Sequence, residues 1–168
     1  PLEDDSSFYL LEVITNSKES LEAMKGTITC IEHDRIDLAY QKQINLKTGK
    51  LVGLEALLRL RDEDGNIIPN DKFIPLIEGE SLFSLVVMSS LQKLKKAFEL
   101  KNEFNMDGVT IYLNVSAHTA MQDNFTKIFA DFVKDLSLKP GELGLEITET
   151  AELEDIKKAG ESFQKLKD

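Results

Sequence analysis

The chain is poor in the residues that build covalent and soft-metal chemistry. Of its 168 residues one is a cysteine, Cys30, and two are histidines, His33 and His118. A single cysteine excludes an internal disulfide and a cysteine-based zinc site, and two histidines argue against a multi-histidine centre. Any metal must then be held mainly by oxygen, which favours hard ions such as Mg2+, Mn2+ or Ca2+. Long apolar runs are missing as well: no segment approaches the roughly 20 residues that span a bilayer. No basic-then-apolar leader opens the chain, so the sequence reads as cytoplasmic. Positive charge is scarce, with 20 Lys and Arg against 30 Asp and Glu and a net charge of −10. That balance argues against a nonspecific grip on DNA or RNA, which needs a positive footprint. It leaves an anionic substrate open, because a metal ion and one arginine can reverse the sign locally.

What the chain does contain is a globular balance, 42% hydrophobic and 30% charged, at a length that suits one domain. Residues 1–33 read as a helical lead-in or linker. Phe8, Leu11 and Ile14 predict a short amphipathic helix, and Leu21, Met24, Ile28 and Ile31 predict a second one from Ser17 onward. From Asp34 the pattern changes. IDLAYQKQINL (36–46) alternates and ends in a turn at Lys47–Lys50; LVGLEALLRL (51–60) is a short apolar run that suits a strand buried on both faces. A charged loop is expected over 61–70 and a short helix over 71–77, weakened by Pro75. Ser81 is placed to cap a helix over 82–104 with Leu85, Met88, Leu91, Leu94 and Phe98 on one stripe. VTIYLNVS (109–116) predicts a strand, 119–135 a helix carried by Phe125, Ile128 and Phe132, LGLEITE (143–149) a strand, and 152–167 a last helix. Strands alternating with helices predict an α/β fold, a parallel sheet covered by helices.

Glu55, Asn114 and Glu146 each interrupt an apolar strand. A carboxylate in a buried run costs several kcal/mol unless it is paired, protonated or metal-bound. The two-residue period puts Glu55 with Arg59, Asn114 with Ser116, and Glu146 with Thr148 on their strand faces. In parallel α/β folds the C-terminal strand ends form the site, and two carboxylates with an amide oxygen there would make a cage for a hard cation. The alternative is structural: such residues hydrogen-bond to backbone at strand ends, and Arg59 pairs with Glu55. Tyr40 and Gln41 read as ordinary strand-edge residues and His118 as a solvated loop histidine.

The segment GLEALLRL carries Glu55-Ala56-Leu57, which resembles the signature of the EAL-domain cyclic di-GMP phosphodiesterases. AYQKQINLKTGKLVGLEALLRL resembles the family's opening hairpin, NIIPNDKFIPLIE the loop and short helix after the signature, and YLNVSA and LGLEITET the next two strands. The resemblance runs in order from about residue 34 to the end. It implies a TIM-barrel-like (β/α) EAL fold, of which residues 34–168, about half of the ~250 residues such a barrel uses, would be the N-terminal half. Residue by residue it implies that Glu55, Asn114 and Glu146 are ligands of Mg2+ or Mn2+ in a two-metal site, with Glu55 in the catalytic machinery. It further implies that Arg59 grips a substrate phosphate, that Gln41 contacts the substrate, and that Glu149 steadies a catalytic loop. The implied activity is metal-dependent hydrolysis of cyclic di-GMP to the linear dinucleotide in bacterial second-messenger signalling.

Two residues depart from the family pattern. Lys42 stands where proline is usual, and Leu60 where an aromatic is usual. They keep open a degenerate domain that binds the dinucleotide or a protein without cutting. The family's Asp-Asp motif, catalytic lysine and late glutamate would lie beyond Asp168. The chain alone is therefore expected to be an inactive fragment, truncated before that motif. The raw edge of strand 143–149 is expected to associate with the missing half-barrel or with a second copy in a homodimer.

Overall fold

The alternation that begins near Asp34 becomes a mixed sheet. A computed structural model describes residues 4–77, 81–147, 157, 160 and 161. Its elements are α1 (Asp4–Glu32), β1 (Ile36–Ile44), β2 (Leu51–Arg61), β3 (Ile67–Ile68), α2 (Ile74–Ile77), α3 (Ser81–Glu103), β4 (Thr110–Val115), α4 (Ala117–Ala120), α5 (Asp123–Asp135) and β5 (Leu143–Ile147). The sheet order is β1-β2-β4-β5, with β3 paired to β2 off that path. β1 and β2 form an antiparallel hairpin, and β2, β4 and β5 run parallel. The predicted sheet of helix-connected parallel strands behind an opening hairpin is therefore present.

Strand periodicity sorts the sheet into two faces. One carries Ile36, Leu38, Leu54, Ala56, Leu58, Leu60, Ile111, Leu113, Val115, Leu143, Leu145 and Ile147, every one of them part of the hydrophobic core or packed against it. Val86, Leu94 and Phe98 of α3 and Phe125 of α5 complete that core, and Cys30 closes it from α1. Fully burying one such side chain contributes about 1.5–3 kcal/mol. The opposite face carries Gln41, Glu55, Tyr112, Asn114 and Glu146 in register. β2 is accordingly not buried on both sides. Only Gly53, Ala56 and Leu60 are buried in it, while Glu55, Leu57 and Arg59 are half-buried.

Several elements differ from the sequence pattern. The lead-in is one continuous helix over Asp4–Glu32 rather than two. The polar stretch around Ser17 contains neither proline nor glycine, so nothing in it stops a helix. Its inward stripe runs through Ala23, Met24, Thr27, Cys30 and Ile31, leaving Leu21 and Ile28 exposed at 51% and 44%. In α3 Leu85 is likewise exposed, because Phe83, Val86 and Val87 take the inward positions beside it. In α5 Ile128 is exposed while Phe125 and Phe129 are buried.

The predicted 61–70 loop includes the short strand β3, which pairs Ile67 and Ile68 with Arg61 and Leu60. The turn before it is closed by the Asp62 carboxylate, which accepts hydrogen bonds from the Asp64 and Asn66 amides and the Asn66 side chain; these hold its pKa below the ordinary value. The 71–77 helix divides into a 3-10 turn over Asn70–Lys72 and α2. Pro75 sits in the first turn of α2, where a missing N–H costs nothing. The 119–135 helix breaks at Met121–Gln122 into α4 and α5, because Ser116 caps a separate first turn through Thr119 N at 3.1 Å. The Ser81 cap, Thr148 and Glu149 lie outside the described side chains. Of the predicted 152–167 helix only Lys157, Gly160 and Glu161 are described, and all three are helical.

α1, α3 and α5 stop in the same way. Asp34, Asn105 and Ser137 take left-handed φ values of 52°, 49° and 50°. In each case the next amide reaches back to close the helix: Arg35 N to Cys30 O, Met106 N to Lys101 O, and Leu138 N to Val133 O. These are Schellman endings, in which the last free carbonyls find donors locally.

Candidate functional site

The apolar stretches that make β2, β4 and β5 also carry the polar interruptions. Parallel pairing brings those interruptions together. Asn114 and Glu146 are register partners across β4 and β5. Glu55 is the partner of Tyr112, one pleat nearer the strands' N-terminal ends. It reaches diagonally, and its Oε1 accepts a hydrogen bond from Asn114 Nδ2 at 2.8 Å. All three side chains are half-buried. Because Asn114 donates through its nitrogen, its Oδ1 stays available as an acceptor or ligand.

Gln41 lies opposite Glu55 across the hairpin, on the same face and exposed. Arg59 is also on this face, two pleats further toward the C-terminal end of β2. It does not pair with Glu55. Its Nη1 donates to the Leu58 carbonyl at 2.7 Å, and among the described residues it has no carboxylate partner. Asp37, its register partner, bonds instead to Arg61 Nε at 3.2 Å. Tyr40 belongs to the opposite face, across from Ala56, where burial and the nearby Asp37 push its phenol up to about 12. It is therefore neutral throughout the physiological range. His118 is exposed in α4, with Nδ1 3.4 Å from Gln122 Nε2. The structure thus gathers Glu55, Asn114, Glu146, Gln41 and Arg59 on one face, and Glu149 lies outside the described residues.

No group of three or more His, Cys, Asp or Glu side chains is assembled among the described residues. The candidate donors here are instead two carboxylates and one amide oxygen. An all-oxygen set of that kind fits a hard divalent cation and not a soft one. Sequence reasoning missed Tyr112, whose ring fills the space over Gly144 and reaches that over Gly53, shared with Gln43, on this same face. The signal available was a shared spacing: Gly53-x-Glu55, Tyr112-x-Asn114, Gly144-x-Glu146.

Residues 22–168 match the EAL domain. The chain belongs to the EAL-domain family. Among curated relatives it is similar to the cyclic di-GMP phosphodiesterase PdeA of Borreliella burgdorferi, 32% identical over 142 residues, which cover 83% of this chain and 21% of that protein. It is also similar to the probable cyclic di-GMP phosphodiesterase PdeB of Escherichia coli, 27% identical over 71% of this chain and 23% of that protein. Among solved structures, the FimX EAL domain of Xanthomonas citri in complex with cyclic di-GMP superposes with a TM-score of 0.73 at 12% identity, over 90% of this chain and 58% of that one. The fold of the EAL chain is thus TIM-barrel-like, present as a partial sheet of five strands. The chain spans about a fifth of the length of the curated relatives it matches. The match begins at residue 22, inside α1. Among the described residues no helix is long and apolar enough to cross a membrane.

Proposed function

We propose that this chain contributes the metal- and phosphate-binding side of a cyclic di-GMP-specific phosphodiesterase that yields the linear dinucleotide. The observation that carries the reading is the convergence of Glu55, Asn114 and Glu146 on one sheet face, with Glu55 and Asn114 already joined at 2.8 Å. These three residues would hold Mg2+ or Mn2+. Such ions, when bound, polarise a phosphoryl oxygen and lower the pKa of water. Arg59, with no carboxylate to neutralise it among the described residues, offers its planar fork to a nonbridging phosphate oxygen. Gln41 stands beside Glu55 to hydrogen-bond the substrate, and Glu149 is assigned to loop support by the family pattern alone. In this reading residues 1–33 serve as a helical linker or lead-in, and residues 34–168 supply the N-terminal half of the barrel.

The two departures from the family pattern lie off this face. Leu60 is 1% exposed in the core, and Lys42, exposed, pairs with Leu54 on the face opposite Glu55. Their placement off the site face removes them as arguments for a degenerate binding role. The described sheet has four strands in its main path, whereas a closed barrel of this class needs eight. Purified alone with Mn2+ and cyclic di-GMP, the chain is expected to show no turnover above background. It is also expected to scatter light as a species larger than its 18.9 kDa monomer. Robust turnover by a monomer would overturn the fragment reading.

Arg59→Ala tests the division of labour. It is expected to weaken dinucleotide binding by about tenfold or more, the worth of a hydrogen bond to a charged group, with Mn2+ affinity unchanged. Calorimetry with each ligand separates the two. Equal loss of both would make Arg59 an organiser of the metal ligands.

A further inference from the structure

Each proposed donor is preceded, two residues earlier and on the same sheet face, by a residue that the metal reading does not use. These are Gly53 before Glu55, Tyr112 before Asn114 and Gly144 before Glu146. Side chains alternate along a strand, so the three lie next to the donors toward the N-terminal ends of the strands. On β2 and β5 that position has no side chain. From β4 Tyr112 fills the gap over Gly144 and shares the gap over Gly53 with Gln43. A Cβ built on Gly144 would lie 2.6 and 2.7 Å from Cδ1 and Cε1 of the ring, and one built on Gly53 would lie 2.9 Å from Cε2. Carbon atoms in contact sit about 3.5–4.0 Å apart, so the ring occupies the room that side chains there would need. The Gln43 amide takes the rest of the space over Gly53, with Oε1 2.5 Å from the same built Cβ.

This arrangement acts on the two glutamates. Glu55 must lean toward the C-terminal end of the sheet to reach Asn114 at 2.8 Å. The ring edge over Gly53 closes the opposite direction, back along β2. The other edge, over Gly144, closes the same direction for Glu146. A filled space removes rotamers, and a tightly packed one removes them without hydrogen bonds. We propose that Tyr112 is the positioning residue of the donor cluster: one ring, seated between two glycines, is the common floor that holds Glu55 toward Asn114 and narrows the directions open to Glu146. The inference rests on the reading of those three residues as metal donors. The ring carries the effect, and the phenol oxygen does not.

The test titrates the full chain with Mn2+ by electron paramagnetic resonance. In parallel it follows the Asn114 side-chain amide by NMR without metal and records thermal unfolding. Tyr112→Phe keeps the ring and is expected to keep affinity and amide position. Tyr112→Ala is expected to weaken Mn2+ binding about tenfold or more, the usual effect of losing a support around a ligand, and to move the Asn114 amide toward its free position. Tyr112→Leu, which retains apolar volume but not lateral reach, is expected to do the same with less loss of melting temperature. Gly144→Ala, which drives a methyl into the ring, is expected to lower the melting temperature. Adding Tyr112→Ala to it should cost less melting temperature than the sum of the two single changes and should not restore the affinity. A folded Tyr112→Ala or Tyr112→Leu chain with wild-type Mn2+ affinity and an unmoved Asn114 amide overturns the inference alone. A wild-type chain that binds no Mn2+, or a Glu55→Gln chain that binds it as well as wild type, overturns the donor reading and the inference with it.

Discussion

Exchange of Glu55 for glutamine is expected to weaken Mn2+ binding about a hundredfold, roughly 2.7 kcal/mol, while leaving the fold in place. The two effects separate because the charge and the shape of Glu55 do different things. Its Oε1 accepts from Asn114 Nδ2, and a glutamine oxygen can accept the same bond at the same 2.8 Å. The side chain is half-buried, so the packing it contributes is modest, and an isosteric change should shift stability by less than about 1 kcal/mol. A hard cation, in contrast, draws most of its affinity from ligand charge, and this substitution removes one of two carboxylates. Paramagnetic resonance reads the affinity, and thermal unfolding reads the fold. A variant that unfolds would return Glu55 to the structural role that the strand pattern also allowed.

The largest effect away from the site is expected at a buried ammonium. Lys101, near the end of α3, is 3% exposed, and its Nζ lies 2.6 Å from Glu142 Oε1 in the turn before β5. Glu142 also accepts from the Lys139 amide at 2.8 Å. The Lys101 hydrogen bond, more than any other contact, holds the Glu142 carboxyl below its ordinary pKa. A carboxylate with a depressed folded-state pKa stabilises the fold fully above the ordinary carboxylate range. That contribution is lost as the pH falls through the lowered value. Glu142→Gln strands the ammonium without a counter-charge and is expected to cost about 2 kcal/mol at neutral pH. Lys101→Met is expected to cost less. It removes the charge that cannot reach water, and Glu142, a quarter exposed, can still be solvated. Urea unfolding of the two variants decides the order, and a larger loss in Lys101→Met would place the anchor in the carboxylate.

The hairpin and the strand–helix alternation were legible because their signals are local. β1 and β2 are bracketed by turn residues, and Glu55, Asn114 and Glu146 stand out against apolar neighbours. The lead-in read as two helices because its middle is polar, yet polarity does not end a helix where no breaker stands. The inward stripes of α1, α3 and α5 were legible through Met24, Ile31, Met88, Leu91, Leu94, Phe98, Phe125 and Phe132, but Leu21, Ile28, Leu85 and Ile128 were wrongly counted among them. Apolar residues sit side by side there, as at Leu85, Val86 and Val87, and only the packed core chooses among them. Tyr112 was invisible as a site residue because an aromatic in a strand is what a strand prefers. Its meaning comes from glycines on two other strands. Lys101 was invisible for a similar reason: a lysine in the last turn of a helix reads as solvated, and its partner lies 41 residues further on.

The three helix endings have a consequence for how far this fold could be hardened. Asp34, Asn105 and Ser137 all hold a backbone geometry that glycine adopts without cost. Aspartate and asparagine tolerate it through the local hydrogen bonds of a carboxylate or amide, which serine at 137 does not have, so Ser137 carries more of the ~1 kcal/mol penalty of a left-handed residue. Asn105 and Ser137 precede the N-terminal ends of β4 and β5, whereas Asn114 and Glu146 lie toward the other ends. The molecule thus keeps a small reserve of thermal tolerance at joints remote from its chemistry. Natural drift or an engineer could draw on that reserve at Ser137 without disturbing a single donor on the opposite rim.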